Sequence, residues 1–255
     1  MKRKIIKSGP STLVVSIPSS FVKQFKLDAG DELHVKMDSN KLIFHPENLT
    51  GFESKSLELN DNKMAFRSKF ASLYKIGIDE IKITYETSEQ LQYLYDVLED
   101  GYIGFEPVEE KSNMVIIRKV TDIDFDQFES MKRRLFLLLL TISGDLVNGI
   151  KNNDGDLIKK LMLMEKSVDK MSNFCRRAVN KKVIRDFKRN SPLYYILEQL
   201  EKIGDALNDI AKIYLNKIKK MSDSDITILE KISKYIRSFY NLYYNFNMGD
   251  FEEFS

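Results

Sequence analysis

What most constrains the fold is the last half of the chain. From Asp122 to the end, helical spacing of apolar residues is interrupted by only three short polar breaks. The breaks fall at Asn152-Asn153-Asp154-Gly155, at Asn190-Ser191-Pro192 and at Ser222-Asp223, residue types that stop or cap helices. Pro192, directly after Ser191, suits the first turn of a new helix. Four amphipathic stretches remain, each long enough to cross a bundle, the last expected over 224–246. Leu193, Ile196, Leu200, Ile203, Leu207, Ile210 and Tyr214 form one apolar stripe. Short loops between long helices make them antiparallel neighbours. Cys175 shares a stripe with Leu161, Val168 and Met171 and reads as core packing. Phe239, Tyr240, Tyr243, Tyr244 and Phe246 read as bundle core or a dimer seam.

The first fifty residues follow a different period. Leu13, Val15 and Ile17 alternate as a strand over 13–17 that Pro18 ends. Ser19 and Ser20 offer an N-cap for a short helix over 20–26, with Phe21, Val22 and Phe25 apolar. Asp28-Ala29-Gly30-Asp31 is a turn in which Asp31 can bond back. Leu33, Val35 and Met37 form another strand, and Asp38-Ser39-Asn40 turns the chain into Leu42-Ile43-Phe44. So small a unit buries too little surface to stand alone, and an intertwined dimer would supply the missing core.

Between these regions the pattern is mixed. Phe66, Phe70, Leu73 and Tyr74 have helical spacing, and Ile81, Ile83 and Tyr85 alternate as a strand. Ser88 caps a helix carrying Leu91, Leu94, Tyr95 and Leu98, and two more strands are expected over 104–108 and 115–119. The expected fold class is therefore α+β and multidomain. It comprises a small β domain over 1–50, an α+β connector over 51–121 and a helical bundle over 122–255.

Composition narrows the function. One cysteine among 255 residues precludes an internal disulfide and fits a reducing, cytoplasmic setting. The longest apolar run, Leu135 to Leu140, falls far short of the roughly 20 residues that span a bilayer, so no membrane insertion is expected. No phosphate-cradling glycine loop, His-Glu-x-x-His or Gly-x-Ser-x-Gly is present, and His34 and His45 lack partners for a triad or zinc site. A non-enzymatic protein is the reading. Formal net charge is only +2, yet residues 1–30 carry Lys2, Arg3, Lys4, Lys7, Lys23 and Lys26 against a single acid, Asp28. A local basic patch of this kind can neutralise phosphates, and a lysine-rich solvated surface has the same composition.

The run "LVVSIPSSFVKQFKLDAGDEL", residues 13–33, resembles the AbrB/SpoVT, or swapped-hairpin, family. The resemblance covers about the first 45 residues. It implies that residues 1–50 form a small swapped-hairpin β-barrel domain, an obligate homodimer of interleaved chains that binds DNA, with Lys2, Arg3, Lys4, Lys7, Lys23 and Lys26 facing it. Arginines common in and after the family's second strand are replaced here by Leu13, Val14 and Ser16. Lysines contact phosphates as point charges and read bases less well than a bidentate arginine.

In the helical half, Glu165 with Asp169 and Glu201 with Asp205 are carboxylate pairs four residues apart, each on one helix face. Two such pairs on neighbouring helices could supply four oxygen ligands to a hard cation. A solvated helix edge gives the same spacing. "LEKIGDALNDIAK", residues 200–212, and "GDLIKKLMLMEKSVDKM", residues 155–171, resemble the PhoU family. That resemblance implies divalent or iron-type metal ions held on the bundle through these pairs. It also implies a role in phosphate uptake. The family has two three-helix repeats, whereas this chain has room for one plus a final helix. The resemblances together imply a DNA-binding regulator of phosphate uptake. The alternative is an adaptor for a phosphate transporter or sensor kinase, with the N-terminal domain serving only to dimerise. An antitoxin is a third reading, opposed by the long helical half.

Overall fold

The chain divides into two units, Met1–Phe52 and Glu53–Ser255, in a computed structural model that describes residues 2–38, 41–46, 52–184, 187–216 and 221–254. In the first unit, β1 (Ile5–Lys7) pairs antiparallel with β2 (Leu13–Val15), setting Ile6 opposite Val14. Strand β2 stops two residues short of the expected end. Helix α1 (Ser19–Phe25) begins immediately after Pro18, which occupies the N-cap position with no side-chain cap bond. The proline's fixed φ ends the strand and starts the helix without the expected serine cap. Lys26 closes α1 in the left-handed conformation, its N–H donating to the Val22 carbonyl. In the next turn Gly30 sits at φ +107°, and the Asp28 N–H donates to Asp31 Oδ2 at 2.8 Å. Strands β3 (Leu33–Asp38) and β4 (Lys41–Pro46) pair antiparallel with Val35 opposite Phe44. Their connecting residues, Ser39 and Asn40, lie outside the described residues. Among the described residues this unit holds two two-stranded sheets and no closed barrel within one chain.

The second unit begins with β5 (Ser54–Glu58), α2 (Lys63–Ile76), β6 (Glu80–Thr84), α3 (Ser88–Gly101), β7 (Phe105–Lys111) and β8 (Met114–Lys119). The strands form one sheet in the order β5-β6-β8-β7, with β5 parallel to β6 and the other pairs antiparallel. One face of the sheet carries Ile81, Ile83, Val115 and Ile117, which pack with Phe66, Phe70 and Tyr74 of α2 and Leu94 of α3. The cap of α3 is Thr87 rather than Ser88, in a reciprocal capping box with Gln90.

Four long helices follow, α4 (Phe125–Lys151), α5 (Gly155–Asn180), α6 (Phe187–Leu215) and α7 (Asp223–Tyr244), then a short α8 (Met248–Phe254). Helix α4 packs on α5, α6 and α7, and α5 packs on α6, around Phe136, Leu139, Leu161, Val168, Cys175, Leu197 and Leu200. Phe136 meets the rings of Phe239, Tyr240, Tyr243 and Tyr244, which places those four against the bundle core, whereas Phe246, expected with them, lies beyond the end of α7 and is exposed. Helix α6 starts at Phe187, so Pro192 lies inside it rather than opening it. As the sixth residue of the helix, the proline lies past the four N–H groups that have no intrahelical acceptor, so it forgoes one bond of the second turn. No helix among the described residues is long and apolar enough to cross a membrane.

Helices α2 and α3 also pack on α5, which joins the sheet layer and the bundle in one unit despite the boundary expected near residue 121. Charge fixes the joint. Asp79 is fully buried and accepts from Arg177 Nη2 at 3.2 Å, from Lys181 Nζ at 2.9 Å and from the Glu53 N–H at 3.1 Å. Arg177 Nη1 also donates to the carbonyls of Tyr74 (2.8 Å) and Ile78 (2.7 Å) at the end of α2. Its guanidinium lies 5.0 Å from the ring centre of Tyr74 and 4.8 Å from that of Phe105. Burial would raise the Asp79 pKa, but the Lys181 and Glu53 hydrogen bonds and the Lys181 and Lys119 charges outweigh it and hold it below its ordinary value. Gly77, at φ +106°, permits this approach: a Cβ there would stand 2.7 Å from Lys181 Cδ.

Candidate functional site

Within the bundle, the close contact of α5 and α6 is set by Gly204. A Cβ at this position would stand 2.9 Å from Val168 Cγ1 and 3.5 Å from Leu139 Cδ2. Glycine in a helix interior costs about 1 kcal/mol relative to alanine, so its presence here fits a demand for close approach. The next residue, Asp205, is thereby brought to Glu165 and Asp169, one carboxylate oxygen of each lying within 4.8 Å of the others. Gly204→Ala is expected to force the helices apart and destabilise the fold by about 1–3 kcal/mol. Urea unfolding measures it, and an unchanged midpoint would show that the neighbours yield freely.

The cluster grades from interior to solvent. Glu165 is buried beside Leu161, Leu207 and Ala211, Asp169 is half-buried, and Asp205 is exposed. Asn208 Nδ2 donates to Glu165 Oε2 at 3.1 Å. Asn208 Oδ1 and Asp169 Oδ1 are buried with no hydrogen-bond partner. Burial, with the charges of Asp169 and Asp205, pushes Glu165 up to about 7, and burial, with the charges of Glu201 and Asp205, pushes Asp169 up to about 6. Three carboxylates so placed must either hold a proton or meet a cation. The available ligands are all oxygen, the donor set of hard divalent ions. The two orphaned oxygens on Asp169 and Asn208 fit that demand.

The structure thus brings together three of the four carboxylates expected as metal ligands. Glu201 is engaged elsewhere: it pairs with the buried guanidinium of Arg176 and accepts from the Ser172 hydroxyl at 3.4 Å. Asn208 takes its place beside the cluster. In sequence Asn208 showed itself only by lying next to the apolar stripe, as Glu201 and Asp205 do.

The six basic residues expected at DNA, Lys2, Arg3, Lys4, Lys7, Lys23 and Lys26, are all exposed in the first unit. Lys7 lies on β1, Lys23 on α1 and Lys26 at its C-cap. Comparison of the chain with protein-family models, with curated proteins and with solved structures returns no match.

Proposed function

We propose that this protein is a cytoplasmic, non-enzymatic regulator of phosphate uptake that binds DNA as a homodimer through its first unit. The bundle would sense or relay phosphate status, with a divalent cation at Glu165, Asp169 and Asp205. One observation carries the dimer. Strand residues that alternate as a core should are exposed in the single chain: Ile5 is 69% exposed, Leu13 67% and Met37 76%. No residue of the first unit whose burial is described is buried. Exposed apolar strands of this kind call for a covering partner, and a second copy with the same hairpins closes them symmetrically, as the swapped-hairpin resemblance implies. The same unit carries the six exposed basic side chains.

Reversing two of them tests the surface. The variant Lys23→Glu/Lys26→Glu is expected to weaken duplex binding and to lower the salt dependence by about 0.9 per lost phosphate contact. Affinity and salt slope equal to the parent's would remove α1 from the DNA face.

A second reading, an adaptor for a phosphate transporter or sensor kinase, is favoured by apolar side chains at the end of the chain. Ile228 of α7, Phe246 after it, and Met248 and Phe251 of α8 are all exposed. Under that reading the first unit serves only to dimerise the chain.

A further inference from the structure

Beside the acid cluster, a polar cleft of about 320 Å³ opens between α2 and the helices α5 and α6. Its α2 wall carries Arg67, Ser68 and Lys75, and the facing wall carries Asp169 and Glu201, with Asp100 at the end of α3. Most of these charges are already matched. Asp100 accepts from Lys166 at 2.9 Å and stands 3.8 Å from Arg67, and Glu201 pairs with Arg176. Lys75 is the exception: half-buried, its ammonium makes no hydrogen bond or ion pair among the described residues. Burial, with the charge of Arg176, lowers its pKa and outweighs the opposing charges of Glu201, Glu198 and Asp169, none of which makes a direct contact with the ammonium. Taking an ammonium partly out of water without an acceptor costs free energy that a docking anion would recover.

The two walls ask for different things. Arg67 and Lys75 only donate hydrogen bonds, whereas the Glu201 carboxylate, paired with Arg176 and still holding free lone pairs, only accepts them. A plain anion meets the first wall and is repelled by the second. A ligand that carries anionic oxygens and also retains a proton meets both.

We propose that this cleft binds hydrogen phosphate, its oxygens held by Lys75 and Arg67 and its remaining O–H turned to Glu201 opposite. The assignment rests on the phosphate-responsive reading above and gives it a sensing site within the chain's own residues that uses none of the metal ligands. Sulfate has the same tetrahedral shape but no proton at neutral pH, so the facing Glu201 carboxylate rejects it. The discrimination follows from an unpaired acceptor set against a ligand without a donor.

The test is calorimetric titration of the full chain at pH 7 in EDTA, with inorganic phosphate and with sulfate as the two probes. Phosphate is expected to bind at least tenfold more tightly than sulfate. Lys75→Met, which leaves every acid in place, is expected to weaken phosphate binding about tenfold or more, the scale of a charge-assisted hydrogen bond. Circular dichroism checks that this variant folds, and Lys75→Arg, which keeps the charge, is expected to retain binding. No heat with phosphate in EDTA, equal affinity for sulfate, or an unaffected Lys75→Met protein would each overturn the assignment. So would phosphate binding that appears only after a divalent cation is added. DNA binding is measured separately, so failure here leaves the DNA reading standing, and loss of DNA binding leaves this site standing.

Discussion

Replacing Asp79 with alanine is expected to destabilise the second unit by about 3–5 kcal/mol, the usual cost of removing one partner from a buried ion pair. The reason lies in what remains. Arg177 stays buried, and Lys181 and Lys119, which stand 2.9 Å and 3.5 Å from the Asp79 carboxylate, are left without it. The guanidinium keeps its bonds to the Tyr74 and Ile78 carbonyls, so the loss is that of countercharge rather than of every contact. Because α2 and the sheet reach the bundle partly through this network, the denaturation curve should shift as one transition. Chemical unfolding of the parent, Asp79→Ala, Arg177→Met and the double variant gives the coupling between the two residues. Additive single effects would show that Asp79 and Arg177 do not act together. Strong coupling, with the double variant little worse than either single one, is the expected result.

Metal-free protein is expected to lose stability as pH rises from about 4.5 to about 7, opposite to the behaviour of an ordinary ion-paired carboxylate. Glu165 and Asp169 have folded pKa values near 7 and 6, above their unfolded values of 4.5 and 3.8. Between those limits the native state holds more protons than the unfolded state, so unfolding becomes easier as pH increases. Asp79 and Glu80 are shifted downward, and their effects appear only at lower pH, outside this window. Glu165→Gln removes the charge without changing the shape. In EDTA it should match the parent near pH 5 and exceed it in stability near pH 8. A divalent cation should reverse that order, because it replaces the protons in the parent and finds one ligand fewer in the variant. Superimposable pH profiles of the two proteins, with no response to cation, would contradict both the charge repulsion and the metal site.

The parts of this fold that are readable in sequence are those with local causes. The breaks at residues 152–155 and at Ser222-Asp223 are where α4 ends, α5 begins and α7 is capped. The apolar stripe of α6 packs into the core through Leu193, Leu200 and Leu207, and Cys175 is buried as expected. Strand β5 escapes notice because Ser-Lys-Ser-Leu-Glu offers one apolar residue, and its pairing partner β6 comes more than twenty residues later. Pro192 suggests a helix start and instead lies five residues inside one, where it forgoes a single intrahelical bond. The Asp79–Arg177 pair spans 98 residues, and nothing local announces it. For the acid cluster, heptad-like spacing places Glu201, Asp205 and Asn208 on one edge but cannot decide which of them faces α5. That choice belongs to the rotation of α6 where Gly204 meets Val168, and to Arg176, which takes Glu201 for itself.

The central claim, that the first unit is a DNA-binding surface, is tested most directly by titrating the full-length protein against pooled duplexes at two salt concentrations, beside the Lys23→Glu/Lys26→Glu variant. The expected result is binding by a dimer that weakens steeply with salt, the variant being weaker and less salt-dependent. Absence of binding at the lower salt concentration, from a protein confirmed as a dimer, would contradict it and leave the hairpins as a dimerisation device for an adaptor.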